Sequence, residues 1–170
     1  MQYFNNPEAL IRLVLSMRDG MAATLAIFGS TLVFSLPLGL LVALLRMNRH
    51  RAVSAPVSLY ILVMRGTPLM LQIFAIYFAI PMWTGMNLDR MSATILAFSL
   101  NYAAYFAEIF RGGIQSIPVG QLEAGQVLGM TRAQTFFHIV MPQMIKRVLL
   151  PVSNEVITLV KDTSLANIIS

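Results

Sequence analysis

Cysteine is absent from this sequence, which excludes a disulfide framework and a thiolate metal site. Histidine occurs only at His50 and His138, too few and too far apart to build a metal centre, and no metal ligand set is expected. Charge is scarce: Asp, Glu, Lys and Arg make up 11% of the 170 residues, where a soluble domain carries about a quarter. No glycine-rich loop ends in Gly-Lys-Ser/Thr, so the chain does not itself cradle a nucleoside triphosphate. Serine and histidine occur without the spacing of a catalytic triad. The chain is therefore expected to be no enzyme and to hold no cofactor of its own. No basic run interleaves with aromatics, which sets nucleic acid aside. Residues 1–17 make a poor signal peptide, because they carry Pro7 and Glu8, have a short apolar stretch, and precede no small-residue cleavage site.

What is present is apolar. Hydrophobic residues make up 57% of the chain and the mean hydropathy is +0.72, so a bilayer is the natural solvent. Twelve Met and ten Phe suit helix packing in lipid. A spanning helix needs about 20 mostly apolar residues. The predicted spans are 21–45, 57–80, 91–110 and 148–162. In the first, Gly29 and Gly39 are expected to let neighbouring helices approach, and Pro37 interrupts it tolerably. The second contains Arg65, Gly66, Thr67, Pro68 and Gln72. Residues 69–80 are too short to span alone, so the segment before Arg65 must contribute or lie along the interface. Between the third and fourth spans, residues 112–135 are small and polar. They are expected to form a loop with one or two short helices outside the lipid. The whole chain, 1–170, reads as one all-α, polytopic membrane domain.

The formal net charge is +5, and its distribution orients the chain. Arg46, Arg49 and Arg51 follow the first span; Arg111, Arg132, Lys146 and Arg147 flank the loop after the third. The turn between the second and third holds Arg90. Because Lys and Arg stay on the cytoplasmic side, the first and third connections are expected inside and the N-terminus outside. Arg12 and Arg18 in the N-terminal arm weaken this bias without reversing it.

The informative stretch runs through Gln121, Leu122, Glu123, Ala124, Gly125, Gln126, Val127, Leu128 and Gly129, and on to Ile139, Val140, Met141 and Pro142. Glu123, Ala124, Gly129 and Pro142 match the cytoplasmic loop signature of binding-protein-dependent ABC importer permeases, which this segment resembles. Gly125 stands where that family usually has a second Ala. Gly120, Ala124 and Gly125 are expected to let a short helix seat close to another body, Gly129 to permit the turn out of it, and Glu123 to act at the helix start. The same pattern also fits an ordinary loop with a capped helix. Four further motifs resemble the polar amino acid permeases of the same group: Arg65-Gly66-Thr67-Pro68; Asn101 through Tyr105 and Glu108 to Gly113; Ile117, Pro118, Gly120 and Gln121; and Lys161 to Leu165. The resemblance covers most of the chain. Val119 departs from it, replacing a Lys common at that place. The family's chains continue for roughly a further helix, so this one is expected to be C-terminally truncated.

The resemblance implies a type I ABC importer permease subunit that carries polar amino acids across the bacterial inner membrane. It implies four partners: a cytoplasmic ABC ATPase that binds ATP and Mg, a second permease subunit (identical or paralogous), an external solute-binding protein, and membrane lipid. The rival reading is an ion- or proton-coupled secondary carrier or a channel without an ATPase; it would use intramembrane acids, of which only Glu108 and Glu155 are available.

Charged groups at membrane depth cost about 3 kcal/mol each, so those present need partners or water. Arg65 reads as a structural anchor bonded to backbone freed by Gly66 and Pro68, or else as part of a gate. Glu108 and Arg111 have i,i+3 spacing and are expected to pair. Asn101 and Tyr105 share a helix face, which either lines the solute path or bonds a neighbouring helix. Asn154, Glu155 and Thr158, with Lys161 and Asp162, are expected to line the substrate path or its gate, since interrupted helices expose polar groups to solute. A Lys161–Asp162 pair at the membrane surface is the plainer alternative.

Overall fold

The computed structural model describes residues 7–85 and 87–169. The signal-peptide reading falls partly on residues 1–6, outside those described. Among the described residues every element is helical. The order is α1 (Pro7–Arg46), α2 (Arg51–Gly66), α3 (Leu69–Phe74), a π turn (Ala75–Ala79), α4 (Ile80–Thr84), α5 (Arg90–Gln115), α6 (Val119–Val127), α7 (Arg132–Thr135), a second π turn (Phe136–Val140), α8 (Met141–Asp162) and a closing 3-10 stretch (Thr163–Ile169).

The helix α5 is the centre of the bundle. In its most apolar stretch 67% of residues are buried, against 28% for α1, whose Met17–Arg46 part is the more hydropathic of the two. The reason lies in the composition of α5. Ala103, Ala104 and Ala107 are fully buried and allow helices to come close. Phe98, Tyr102, Phe106 and Phe110 form a ladder along one face, ring centroids 6.2 to 6.3 Å apart. The helix α1 lies along α5, with α2, α3 and α8 against its other sides. Gly39 makes the α1 contact possible: a Cβ there would sit 2.8 Å from Phe106 Cβ and 3.1 Å from the Ala103 carbonyl oxygen. Gly29, expected to do the same, faces open space. Gly113 serves the α8 contact, since a Cβ on it would lie 2.3 Å from Val148 Cγ1. Asp89 caps α5 by accepting a hydrogen bond from Ser92 N at 3.1 Å. The hydrogen bonds from Ser92 hold its carboxyl below the usual carboxylate range.

Proline shapes the rest. Pro81 and Pro142 each stand second in a helix that follows a π turn. A proline ring collides with the carbonyl four residues before it, and widening the preceding turn makes room. Pro68 acts more sharply. It holds Thr67 in extended backbone (φ −118°, ψ 146°), and the chain bends by 113° between Arg51–Gly66 and Leu69–Thr84. The predicted span 57–80 is therefore two helices meeting at a break. Among the described residues two helices are long and apolar enough to cross a membrane, or three if the bent pair counts as one span. The predicted span 148–162 is not among them: it is the later part of α8, where Lys146, Arg147, Asn154, Glu155, Lys161 and Asp162 depress the hydropathy.

Candidate functional site

Pro68 has no N–H, so the Met64 carbonyl loses the donor that would close its helical turn. Two buried amides replace it. Gln72 Nε2 donates to Met64 O at 2.9 Å and Asn101 Nδ2 donates to the same oxygen at 3.0 Å. Asn101 Nδ2 also donates to Gln72 Oε1 at 3.0 Å, and Gln72 Nε2 reaches Thr67 O at 3.1 Å and Thr67 Oγ1 at 2.9 Å. Gln72 and Asn101 are only 9% and 4% exposed, a depth at which an unmade bond is expensive. The bend is thus tied to α5 by a closed polar knot. Arg65 is not the group that satisfies the freed backbone, contrary to the anchor reading. Its guanidinium instead lies 5.1 Å from the centre of the Tyr105 ring, in cation–π range.

Beside the knot is a cavity of about 380 Å³ lined by Thr67, Pro68, Leu69, Asn101, Tyr102, Tyr105, Glu155, Thr158, Asp162 and Leu165. Five of the seven residues assigned to the solute path from sequence meet here: Asn101, Tyr105, Glu155, Thr158 and Asp162. Asn154 and Lys161 are exposed and do not line it. Glu155 and Thr158 reach it from one face of α8, as their spacing implied. The Thr158 hydroxyl donates to Asn154 O at 3.0 Å. Asp162 is held by Tyr102, whose hydroxyl donates to Asp162 Oδ2 at 2.7 Å; a Lys161–Asp162 pair is not formed. Glu108 and Arg111 pair as expected, with Nη2 to Oε2 at 2.6 Å and Nε to both carboxylate oxygens at 3.1 and 3.2 Å.

The second candidate feature is the segment 112–135. The helix α6 stands out from the bundle with Val119, Leu122, Val127 and Leu128 exposed. It stops in a Schellman turn: Met130 N donates to Gly125 O and Gly129 N to Gln126 O, with Gly129 left-handed at φ +71°. Gly129 therefore has the turning role expected of it. Gly125 does not face outward. It is buried, and a Cβ there would lie 2.8 Å from Thr135 Oγ1 and 2.9 Å from Thr135 Cγ2, so its smallness serves packing within the chain. Gly120, Glu123 and Ala124 are exposed. Glu123 is the fifth residue of α6 and caps nothing; Pro118 takes the N-cap place. Pro142 lies beyond the loop, in the first turn of α8. That helix grips the base of α6 through Gln143 Nε2 to Gln121 Oε1 at 3.2 Å and through Arg147, which donates to the Ser116 carbonyl. One helix, α8, thus connects α6 at one end with the cavity at the other.

Residues 35–170 match the family described as the binding-protein-dependent transport system inner membrane component. This chain belongs to that family. Among its relatives, the L-cystine transport system permease protein TcyB of Bacillus subtilis (strain 168) is 40% identical over 89% of this chain. The octopine transport system permease protein OccM of Rhizobium radiobacter is 42% identical over 88% of it. The chain spans 64% of the length of each. A crystal structure of an amino acid ABC transporter with histidines superposes at a TM-score of 0.82 and 34% identity, covering 96% of this chain and 76% of that one. The fold is therefore all-α and of the type I importer permease kind, and the family member is an inner-membrane component.

Two participants carry little mark in the local sequence. Gln72 was visible only as a lone amide in an apolar run, yet its signal was present, because a proline at position 68 orphans the carbonyl of residue 64. Tyr102 sits inside the Asn101 motif and gave no sign of facing Asp162, which is 60 residues away.

Proposed function

We propose that this chain is the permease subunit of an ATP-driven importer for polar amino acids. The observation that carries the proposal is the α8 connection, which joins the projecting helix α6 to a polar cavity beside a broken span. In this reading α6 seats in a cleft of a cytoplasmic ABC ATPase, which binds ATP and Mg and does all the covalent chemistry. The apolar, solvent-exposed Val119, Leu122, Val127 and Leu128 suit such a seat. A second permease subunit, identical or paralogous, completes the path, and an external solute-binding protein delivers the cargo. The N-terminus lies outside, which puts Arg46, Arg49 and Arg51 and the base of α6 on the cytoplasmic side.

The cavity contacts the solute in this reading. Its charged lining groups are Glu155 and Asp162, so it favours a positively charged group, and every amino acid carries an ammonium. Asn101 and Thr67 are already committed to the knot, so they set the wall's shape rather than seek the solute. The family and the names of the relatives favour this reading over an ion- or proton-coupled carrier.

The absence of cysteine makes the test clean. A single Ala124→Cys variant should react with an impermeant thiol reagent only when the reagent reaches the cytoplasmic face, and co-expressed ATPase should protect it. Labelling from the periplasmic face alone, or no ATPase recovered with the chain, would overturn the assignment.

A further inference from the structure

The end of α1, one face of α2 and α5 border a second, open cavity of about 340 Å³. Arg46 and Arg65 line it, with Ser58, Ile61 and Leu62 between them on α2. Positions 58, 61, 62 and 65 follow helical spacing, so a single stripe of α2 forms this wall. The one acidic lining residue is Glu108, and its carboxylate is taken up by Arg111 through three hydrogen bonds of 2.6 to 3.2 Å. Among the described residues neither Arg46 nor Arg65 has an ion-pair partner. The cluster of Arg46, Arg65, Arg111 and Glu108 therefore carries two surplus positive charges around the hollow, its one carboxylate being already bonded to Arg111. On α2, Leu62 lines the hollow and is 68% exposed, and Leu59, three residues before it on the same helix, is 61% exposed.

A cationic hollow beside exposed leucines of α2 fits one class of molecule, an amphiphile with an anionic head and acyl tails. We propose that this pocket binds the phosphate headgroup of an anionic phospholipid of the cytoplasmic leaflet, between Arg46 and Arg65. The guanidinium fork suits phosphate oxygens, and the acyl chains run along the exposed leucines. The headgroup balances the surplus positive charge, and it braces the end of α2 against α1. The inference takes from the proposed function only that the Arg46 end of α1 faces the cytosol; the pocket itself stands on geometry and charge.

The test is native mass spectrometry of the purified full chain in detergent, titrated with phosphatidylglycerol, phosphatidylcholine or inorganic phosphate. Each juxtamembrane arginine contributes about a fivefold preference for an anionic lipid. Arg46→Gln and Arg65→Gln should each weaken phosphatidylglycerol binding about fivefold and the pair about 25-fold, with phosphatidylcholine unaffected. Arg49→Gln, equal in charge change but off the pocket, should leave it unchanged. Ser58→Asp keeps both arginines and should weaken binding to a similar extent, which guards against misfolded arginine variants; thermal unfolding checks each variant. Equal loss from Arg49→Gln would make the effect diffuse charge and refute the pocket. No loss from the paired arginine variant or from Ser58→Asp would refute it as well, and would leave a second protein copy as the occupant. Inorganic phosphate binding as tightly as phosphatidylglycerol, with the same arginine dependence, would refute a lipid site. None of these readouts depends on transport or on an ATPase, so the result is independent of the importer assignment.

Discussion

Replacing Gly125 with alanine, the residue usual in the family at that place, should harm this chain. The added Cβ would lie 2.8 Å from Thr135 Oγ1, 2.9 Å from Thr135 Cγ2 and 3.3 Å from Ile139 Cδ1. Threonine cannot turn out of the way. Its two branch atoms occupy two of three staggered positions, and both observed positions face Gly125. Any rotamer therefore keeps at least one of them filled. Overpacking of this kind costs about 2 kcal/mol, and alanine returns about 1 kcal/mol through helix propensity. The net loss is about 1 kcal/mol, felt where α6 meets α7. Serine at 135 has a single branch atom and can place it in the third position. Thr135→Ser alone should cost about 0.8 kcal/mol for the lost methyl, and the double variant should return close to the parent. The interaction energy of the cycle is then about −2 kcal/mol. Thermal unfolding in detergent measures the cycle, and ATPase co-purification measures whether α6 still presents correctly. A Gly125→Ala variant as stable as the parent, or no rescue by Thr135→Ser, would refute the packing argument and the reason offered for glycine at this position.

Further outcomes follow from the same geometry. Gln72→Leu removes the bonds from Gln72 to Met64 O and Thr67 and from Asn101 to Gln72, leaving Asn101 as the one side chain on Met64 O; it should destabilise by about 1–3 kcal/mol, read as a lower unfolding temperature. Gly39→Ala should destabilise by about 1–3 kcal/mol because Phe106 Cβ stands 2.8 Å away, while Gly29→Ala, with open space around it, should be neutral or slightly stabilising in the same assay. Gly129→Ala forces a left-handed non-glycine residue at a cost of about 1–2 kcal/mol and should loosen the ATPase contact. Glu155→Gln should lower solute uptake in proteoliposomes at least several-fold without loosening that contact; unchanged uptake would remove Glu155 from the solute path.

Much of this protein was readable in one dimension. Apolar runs at 21–45 and 91–110 announced helices in lipid, and those helices exist with longer ends. The extra length of α5 comes from Asp89, whose capping role is a local pattern, and from Arg111 to Gln115, which stay helical because Arg111 bonds Glu108 and Gln115. The end of α6 was also legible, since Gly129 ends that helix for reasons confined to its own turn. Direction was harder to read. Gly125 and Gly29 are both small residues on helices, yet one is packed shut and the other open, and no local pattern separates them. Arg65 is next to the break in sequence, but Gln72 and Asn101 satisfy the freed backbone because they are next to it in space.

The amino-acid order by itself determined the solvent, the helical class, the break at Pro68 and the family, because these depend on composition, on a missing N–H and on short-range spacing. Tertiary structure alone decided which polar groups meet. Asn101 with Met64 and Tyr102 with Asp162 are separated by tens of residues. Only the crossing of α2 and α8 over α5 brings such groups within bonding reach, and hydrogen bonds act over a few ångströms whatever the distance along the backbone.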